Sequence, residues 1–274
     1  VCAALVAGCS SGDDDDSGAA NPAANPAPPA PAPTQSAGGI WLGLPGTGES
    51  ATFYIAETGE LLAQLSALGA TPPTPPGFGS GAVIVNNPNQ VAGTYTLRSL
   101  PTGVLIPGAA PPQQTCSLDG TVTERSLLQV TTSCSDSAGI TTSRTFNMLY
   151  NPAYDSDSSL ADIAGNYTVP FRPQTNSLNI NGSGVVFGTL DNGPTCTVNG
   201  QVQIIDARFN LYRFEIQLSL CQGIIGQLYE GSTFRGFAAR NMPGMRPGAF
   251  ILLLNGTGTI NAPFPFFSML YERV

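Results

Sequence analysis

The chemistry open to this chain is bounded first by what is missing. It has no histidine and no lysine; all ten basic residues are arginine. Without His there is no Ser-His-Asp or Cys-His nucleophile and no His-based zinc, copper or iron site. Without Lys there is no Schiff base and no P-loop lysine. Catalysis would fall to carboxylates, Tyr, Arg or hydroxyls. Asp155, Asp157, Asp162, Asp206, Glu215 and Glu230 are the candidates for a two-carboxylate glycosidase. No aromatic sugar-binding signature accompanies them, and the chain has one Trp. Asp155-Ser156-Asp157-Ser158-Ser159 begins like an EF-hand calcium loop. Leu160 then stands where the loop needs Gly, and Asn166 where it needs Glu, so a polar linker ending in a helix cap is the better reading. Gly79-Ser80-Gly81 and Gly182-Ser183-Gly184 are not nucleophile elbows and read as turns. No catalytic residue, cofactor or metal site is expected.

Four of the six cysteines have spacings that suit paired strands. A hairpin centred on Arg125, turning at Glu124-Arg125-Ser126, sets Cys116 opposite Cys134. It also sets Leu118 opposite Thr132, Gly120 opposite Val130 and Val122 opposite Leu128, all on one face. A second hairpin, centred at Arg208-Phe209, brings Cys196 to Cys221. Here the parity fails: Cys196 aligns with Val198, Val202 and Ile204, but Cys221 falls on the polar face. Pairing them requires a one-residue bulge. The expected bridges are Cys116–Cys134 and Cys196–Cys221, each closing a loop worth about 3 kcal/mol in chain-entropy terms.

The other notable cysteine is Cys9. Residues 1–8 are apolar and end in small side chains, and polar residues follow at once. Val6-Ala7-Gly8-Cys9 resembles a bacterial lipobox, with Val where Leu is commoner. The resemblance implies a signal-peptide remnant over residues 1–8, cleavage before Cys9, and lipid on its thiol and new amino group. Several acyl chains hold a protein firmly where one does not. Ser10 follows the Cys; in enterobacteria-like sorting an Asp there would retain the protein at the inner membrane, so Ser10 points to the outer membrane. Asp13 to Asp16 resemble the acidic surface-export signals of some bacteria. Residues 9–38 are expected to be a disordered acidic and Pro/Ala-rich tether, because they lack any apolar periodicity. At about 3 Å per residue, such a tether can hold a body several tens of Å from a membrane.

Beyond the tether the composition points to β structure. Hydrophobic residues are 42%, charged residues only 10%, and there are 32 Gly and 24 Pro. That combination favours short strands and turns around a real core. The net charge of −8, with no basic cluster, excludes nucleic acid as a partner. Tyr212, Phe214, Ile216, Leu218 and Leu220 alternate with Arg213, Glu215, Gln217 and Ser219, as in a half-buried strand. Asn181-Gly182, between Leu178/Ile180 and Val185/Phe187, is a hairpin turn. Phe250 to Leu254 reads as a short buried strand. Phe264 to Tyr271 reads as the closing strand of a barrel or sandwich; Pro265 and the Glu272-Arg273 end argue against an outer-membrane barrel strand. Ser159-Leu160-Ala161-Asp162 starts the one clear helical turn.

The body also reads as a duplication. Val91-Ala92-Gly93-Thr94-Tyr95 is similar to Ile163-Ala164-Gly165-Asn166-Tyr167, and Thr115-Cys116 to Thr195-Cys196, each followed by a second Cys. Gly39-Ile40-Trp41 and Gly165-Asn166-Tyr167 open the two halves. Gly-x-aromatic resembles the opening of lipocalin- and avidin-like barrels, where the aromatic plugs one end; we take it as a core aromatic after a bend glycine. The tract from Phe146-Asn147-Met148-Leu149-Tyr150 through Ser158-Ser159-Leu160-Ala161-Asp162-Ile163-Ala164-Gly165-Asn166-Tyr167 resembles a joint in uncharacterised proteobacterial outer-membrane lipoproteins. So does Thr195-Cys196 with Asn210-Leu211-Tyr212-Arg213 and Cys221. The likeness implies location and architecture, and no activity.

The expected fold is therefore all-β: two similar antiparallel lobes, barrel- or sandwich-like, of roughly eight short strands each, over residues 39–157 and 158–274. The expected role is a non-enzymatic binding or scaffold module on the outer membrane, facing periplasm or cell surface and held by its lipid anchor. The alternative is a structural subunit that self-associates or joins an envelope protein partner; a carboxylate hydrolase stands third. An internal apolar cavity would favour small-ligand binding, and an exposed aromatic patch would favour assembly.

Overall fold

The computed structural model describes residues 35–43, 49–67, 77–86, 88–99, 113–169, 176–191, 195–223, 229–240, 249–256 and 266–273, with backbone alone for 250–256 and 266–273. Cys9, residues 1–8 and the tether to residue 34 lie outside the described residues. Among the described residues no helix is long and apolar enough to cross a membrane.

Among the described residues, sixteen strands close into two antiparallel rings of eight. The first ring holds β1 (Gly39–Gly43), β2 (Glu49–Ile55), β3 (Glu60–Ala67) and β4 (Gly77–Asn86). It continues through β5 (Gln90–Ser99), β6 (Gln113–Thr123), β7 (Leu127–Ser135) and β8 (Thr141–Tyr150). The second holds β9 (Gly165–Thr168), β10 (Ser177–Ile180), β11 (Val185–Asp191) and β12 (Thr195–Ile204). It continues through β13 (Tyr212–Ser219), β14 (Thr233–Arg240), β15 (Phe250–Gly256) and β16 (Phe266–Arg273). Each strand pairs with its successor. β1 closes on β8, and β16 closes on β9 through the short register Glu272↔Thr168 and Arg273↔Tyr167. Of barrel and sandwich, the lobes are barrels. The C-terminal segment closes the second one.

An eight-stranded interior can be filled by side chains or hold one small ligand, and here the described inward residues pack on one another. In the first barrel Trp41, Phe53, Leu118, Val130, Phe146 and Met148 meet on the axis, with Ala51 and Ala63 making room for the rings. In the second, Tyr167, Val198, Tyr212, Phe214, Leu218 and Phe234 play that part. The two opening aromatics are anchored alike. Trp41 Nε1 donates to the carbonyl of Ala37 at 2.9 Å, and the Tyr167 hydroxyl to that of Ile163 at 2.9 Å, each four residues back. Gly39 allows this fold-back: a Cβ there would sit 2.8 Å from Trp41 Nε1.

Three expectations need correction. Gln35 to Gly38, assigned to the disordered tether, belong to the body. Gln35 N–H donates to Pro88 O, its side-chain oxygen accepts from Glu124 N–H, and Ala37 is buried. Accepting the Trp41 indole is what ties this segment down. Gly79-Ser80-Gly81 is not a turn but the middle of β4. The repeat assignment also fails. Val91 to Leu97 lies on the fifth strand of its ring, whereas Gly165 to Thr168 is the first strand of the other. The cystine hairpin is β6–β7 in one barrel and β12–β13, its fourth and fifth strands, in the other. No single rotation of one ring onto the other aligns both matches. The halves correspond through Gly39/Trp41 and Gly165/Tyr167, and the other matches reflect common strand composition.

Residues 151–164 join the barrels. Pro152–Asp155 forms a 3₁₀ turn capped by Asn151, and α1 (Leu160–Ile163) is capped by Ser159, whose hydroxyl accepts from Asp162 N–H at 3.2 Å. Tyr154 stacks on Phe209 with centroids 4.8 Å apart, and the guanidinium groups of Arg125 and Arg208 lie 5.3 and 5.2 Å from the Phe209 ring centre. Around this stack, outward-facing Ile40, Tyr54, Leu62 and Phe78 of the first barrel pack with Leu211, Phe237 and Ala239 of the second. Burying Leu62, Phe78 and Phe237 is worth about 1.5–3 kcal/mol apiece. Asn210 pins the joint. It is 1% exposed; its amide donates to the carbonyls of Ala153 and Arg240 at 3.0 and 2.6 Å and accepts from Arg240 N–H at 3.0 Å.

The joint can be tested in two ways. Replacing Asn210 by Ala leaves three half-buried backbone groups without this partner and is expected to destabilise the body by about 2–3 kcal/mol. A denaturant midpoint unchanged in Asn210→Ala would contradict that. The second test concerns alkaline pH. Burial pushes the Tyr54 phenol up to about 12. It also raises Tyr154 and Tyr150, the latter helped by the 2.7 Å hydrogen bond it donates to Asp155. Unfolded tyrosines ionise near pH 10. Stability is thus complete below about pH 10 and falls as pH rises toward the folded-state values, because the unfolded chain loses these protons first. Tyrosinate absorbance and loss of β circular dichroism should rise together; buried tyrosines that ionise near pH 10 with the strands intact would refute it.

Candidate functional site

The four body cysteines are bonded as Cys116–Cys134 and Cys196–Cys221. The first pair stands directly opposed in the register Cys116↔Cys134, with Val122↔Leu128 below it and Arg125 at the turn with φ 53°. The second pair needs the bulge, and the bulge is Leu220. The β12–β13 register runs Val198↔Leu218 and Thr197↔Ser219, which would place residue 220 against Cys196. Leu220 instead takes φ 53° and turns out to 75% exposure. It therefore leaves the inward face the alternation assigned to it, and Cys221 takes its place. Glu230 holds the kink by accepting from Leu220 and Cys221 N–H at 3.2 and 2.8 Å. Both bridges face inward at the barrel ends remote from the joint. In the first barrel the Tyr95 hydroxyl lies 3.7 Å from Cys134 Sγ.

The candidate carboxylates are spread among structural partners. Asp155 takes Arg125 at 2.7 Å, Asp162 takes Arg240 at 3.1 Å, and Glu215 takes Arg235 at 2.9 Å. Asp206 takes Arg208 at 2.7 Å, and those hydrogen bonds hold its carboxyl down at about 2. Asp157 is exposed, and its carbonyl accepts from Arg240. Among the described residues no three His, Cys, Asp or Glu side chains come together as a metal site.

The distinctive surface lies on the outer wall of the second barrel, and a turn creates it. As a two-residue turn, Asn181-Gly182 would face Leu178 with Val185. The chain instead makes a four-residue turn, Asn181 to Gly184. Asn181 Oδ1 accepts from Ser183 and Val185 N–H at 2.9 Å each, and Gly184 carries the positive φ of 84°. A Cβ on Gly184 would meet the Val202 carbonyl at 2.5 Å. The register becomes Ile180↔Val186. This odd shift reverses the parity of β11: Val186 and Leu190 point in, while Val185 and Phe187 point out, 41% and 48% exposed.

Phe187 thereby joins a cross-strand row of polar side chains. The registers run Asn166↔Asn179, Asn179↔Phe187, Phe187↔Asn199, Asn199↔Gln217 and Gln217↔Thr233. One exposed ring stands between two asparagines, with amides again beyond them. Next to Asn199 a groove of about 550 Å³ is lined by Gln201, Gln203, Arg213, Glu215 and Gln217. Its charged groups are already paired: Arg213 with Glu60 of the first barrel, and Glu215 with Arg235. The outer wall of the first barrel is different. There Thr131 bonds Thr145, Ser133 bonds Ser143, and Ser135 bonds Thr141, at 3.0, 3.3 and 2.9 Å. Those hydroxyls pair with one another.

Sequence reasoning missed the Phe187 row. The alternation that buries Leu178 and Val198 does put Asn179 and Asn199 outward, but their alignment with Phe187 depends on the turn. No family model matches the chain, and neither a curated protein nor a solved structure matches it.

The bulge yields a prediction. An exposed Leu in left-handed conformation carries a backbone penalty that Gly lacks. Leu220→Gly is expected to stabilise the body by about 0.5–1 kcal/mol in denaturant titrations, with Cys196–Cys221 intact by non-reducing peptide mapping. A destabilised variant would contradict this account of the kink.

Proposed function

We propose that this chain is a lipid-anchored outer-membrane lipoprotein whose double barrel is a non-enzymatic binding module. The observation that carries the reading is the pair of inward-facing disulfides in a chain that also has the lipobox-like Val6-Ala7-Gly8-Cys9. Such bridges suit an oxidising compartment. The described inward side chains pack into two apolar cores, which turns attention from an enclosed small ligand to the outer walls. The carboxylates support a non-enzymatic role, since most are held in ion pairs that serve the fold. Among the described residues the exposed apolar side chains fall in small groups, Val185 with Phe187 on the second barrel and Leu42 opposite Leu149 on the first, which suits ligand contact better than the broad apolar patch of a self-assembling subunit.

Cells fed radiolabelled palmitate test the anchor. The wild-type chain is expected to carry label and to fractionate with the outer membrane, and Cys9→Ala to lose both. Equal labelling or equal membrane retention of the variant would overturn the reading.

A further inference from the structure

We propose that the outer wall of the second barrel binds a neutral oligosaccharide, with one sugar ring stacked on Phe187 between Asn179 and Asn199. The inference deepens the binding-module reading and rests on it. A pyranose has an apolar face of C–H groups and a rim of hydroxyls. An exposed ring flanked by amides offers the complement of both. Neighbouring strands lie about 4.8 Å apart, so a sugar centred on Phe187 has an asparagine within reach of either edge. An amide both donates and accepts, as a hydroxyl does. Asn179 donates to Asn166 Oδ1 and Asn199 donates to Ser219 Oγ. Those bonds orient the two side chains and use one N–H of each amide, which leaves the second N–H to donate to, and the carbonyl oxygen to accept from, a sugar hydroxyl.

The groove beside Asn199 continues the site. Gln201, Gln203 and Gln217 line it, and each amide offers both a donor and an acceptor to a sugar hydroxyl. The same lining disfavours charged ligands. The guanidinium that lines the groove, Arg213, is bound to Glu60, and the carboxylate, Glu215, is bound to Arg235. A sulfate, phosphate or uronate would compete with Glu60 for Arg213 and meet the charge of Glu215, whereas a neutral hydroxyl can share these pairs.

The test is calorimetric titration of the purified full chain with neutral gluco-, manno-, galacto- and chito-oligosaccharides of about three to six sugars, a length matched to a groove of this size, beside sulfated and uronic counterparts. At least one neutral series is expected to bind. Phe187→Ala is expected to weaken that binding about tenfold or more, as loss of a stacking ring does. Phe187→Tyr should restore it, and Thr131→Ala on the other barrel should leave it unchanged. Circular dichroism confirms that each variant is folded. Binding that persists in the Phe187→Ala, Asn199→Ala double variant, or binding by the acidic sugars alone, would overturn the proposal. In-cell crosslinking separates this inference from its parent. A protein partner crosslinked at this wall with no sugar bound would overturn the glycan and leave the binding module standing. Neither sugar nor partner would remove both.

Discussion

A strand that closes into an eight-membered ring has no neutral positions: each side chain points to the axis or to the outside. An eight-stranded ring encloses space that its own side chains can fill or that can hold one small ligand; here the buried inward set of the described strands is apolar apart from Thr132 and packs into a core. Trp41 and Tyr167, each folded back on a carbonyl four residues earlier, lie within these filled cores. Much else follows from that constraint. Inward cysteines can meet across a hairpin, outward residues are left to make the joint and the surface, and ligands are directed to the walls.

Two departures from simple alternation shape the second barrel. Leu220 leaves the ladder so that Cys221 can face inward. The four-residue turn at Asn181 to Gly184 shifts β11 by an odd number and turns Phe187 outward. Both rest on a left-handed residue and on side chains that accept backbone N–H groups, Glu230 in one case and Asn181 in the other. Neither departure affects the core count, since Val186 and Cys221 take the inward positions. Both alter what the surface presents. The barrels themselves are held together by a different logic, in which a buried amide, Asn210, satisfies backbone groups from both sides of an aromatic stack.

Much of this is legible in the amino-acid sequence itself. Low charge, abundant Gly and Pro, and alternation over residues 211–220 specify strands, because period two is a local property. Hairpin symmetry about Arg125 specifies Cys116–Cys134, and the parity conflict at Cys221 requires a bulge. The Ser159 cap is local too. Tertiary structure decided what depends on register and closure: that the sheets are closed barrels, that residues 35–38 belong to the first, and that the cystine hairpins occupy different ring positions. It also aligned Asn179, Phe187 and Asn199 in one row. Those residues lie on three strands, and only the hydrogen-bonded register, set by turn length, brings them side by side.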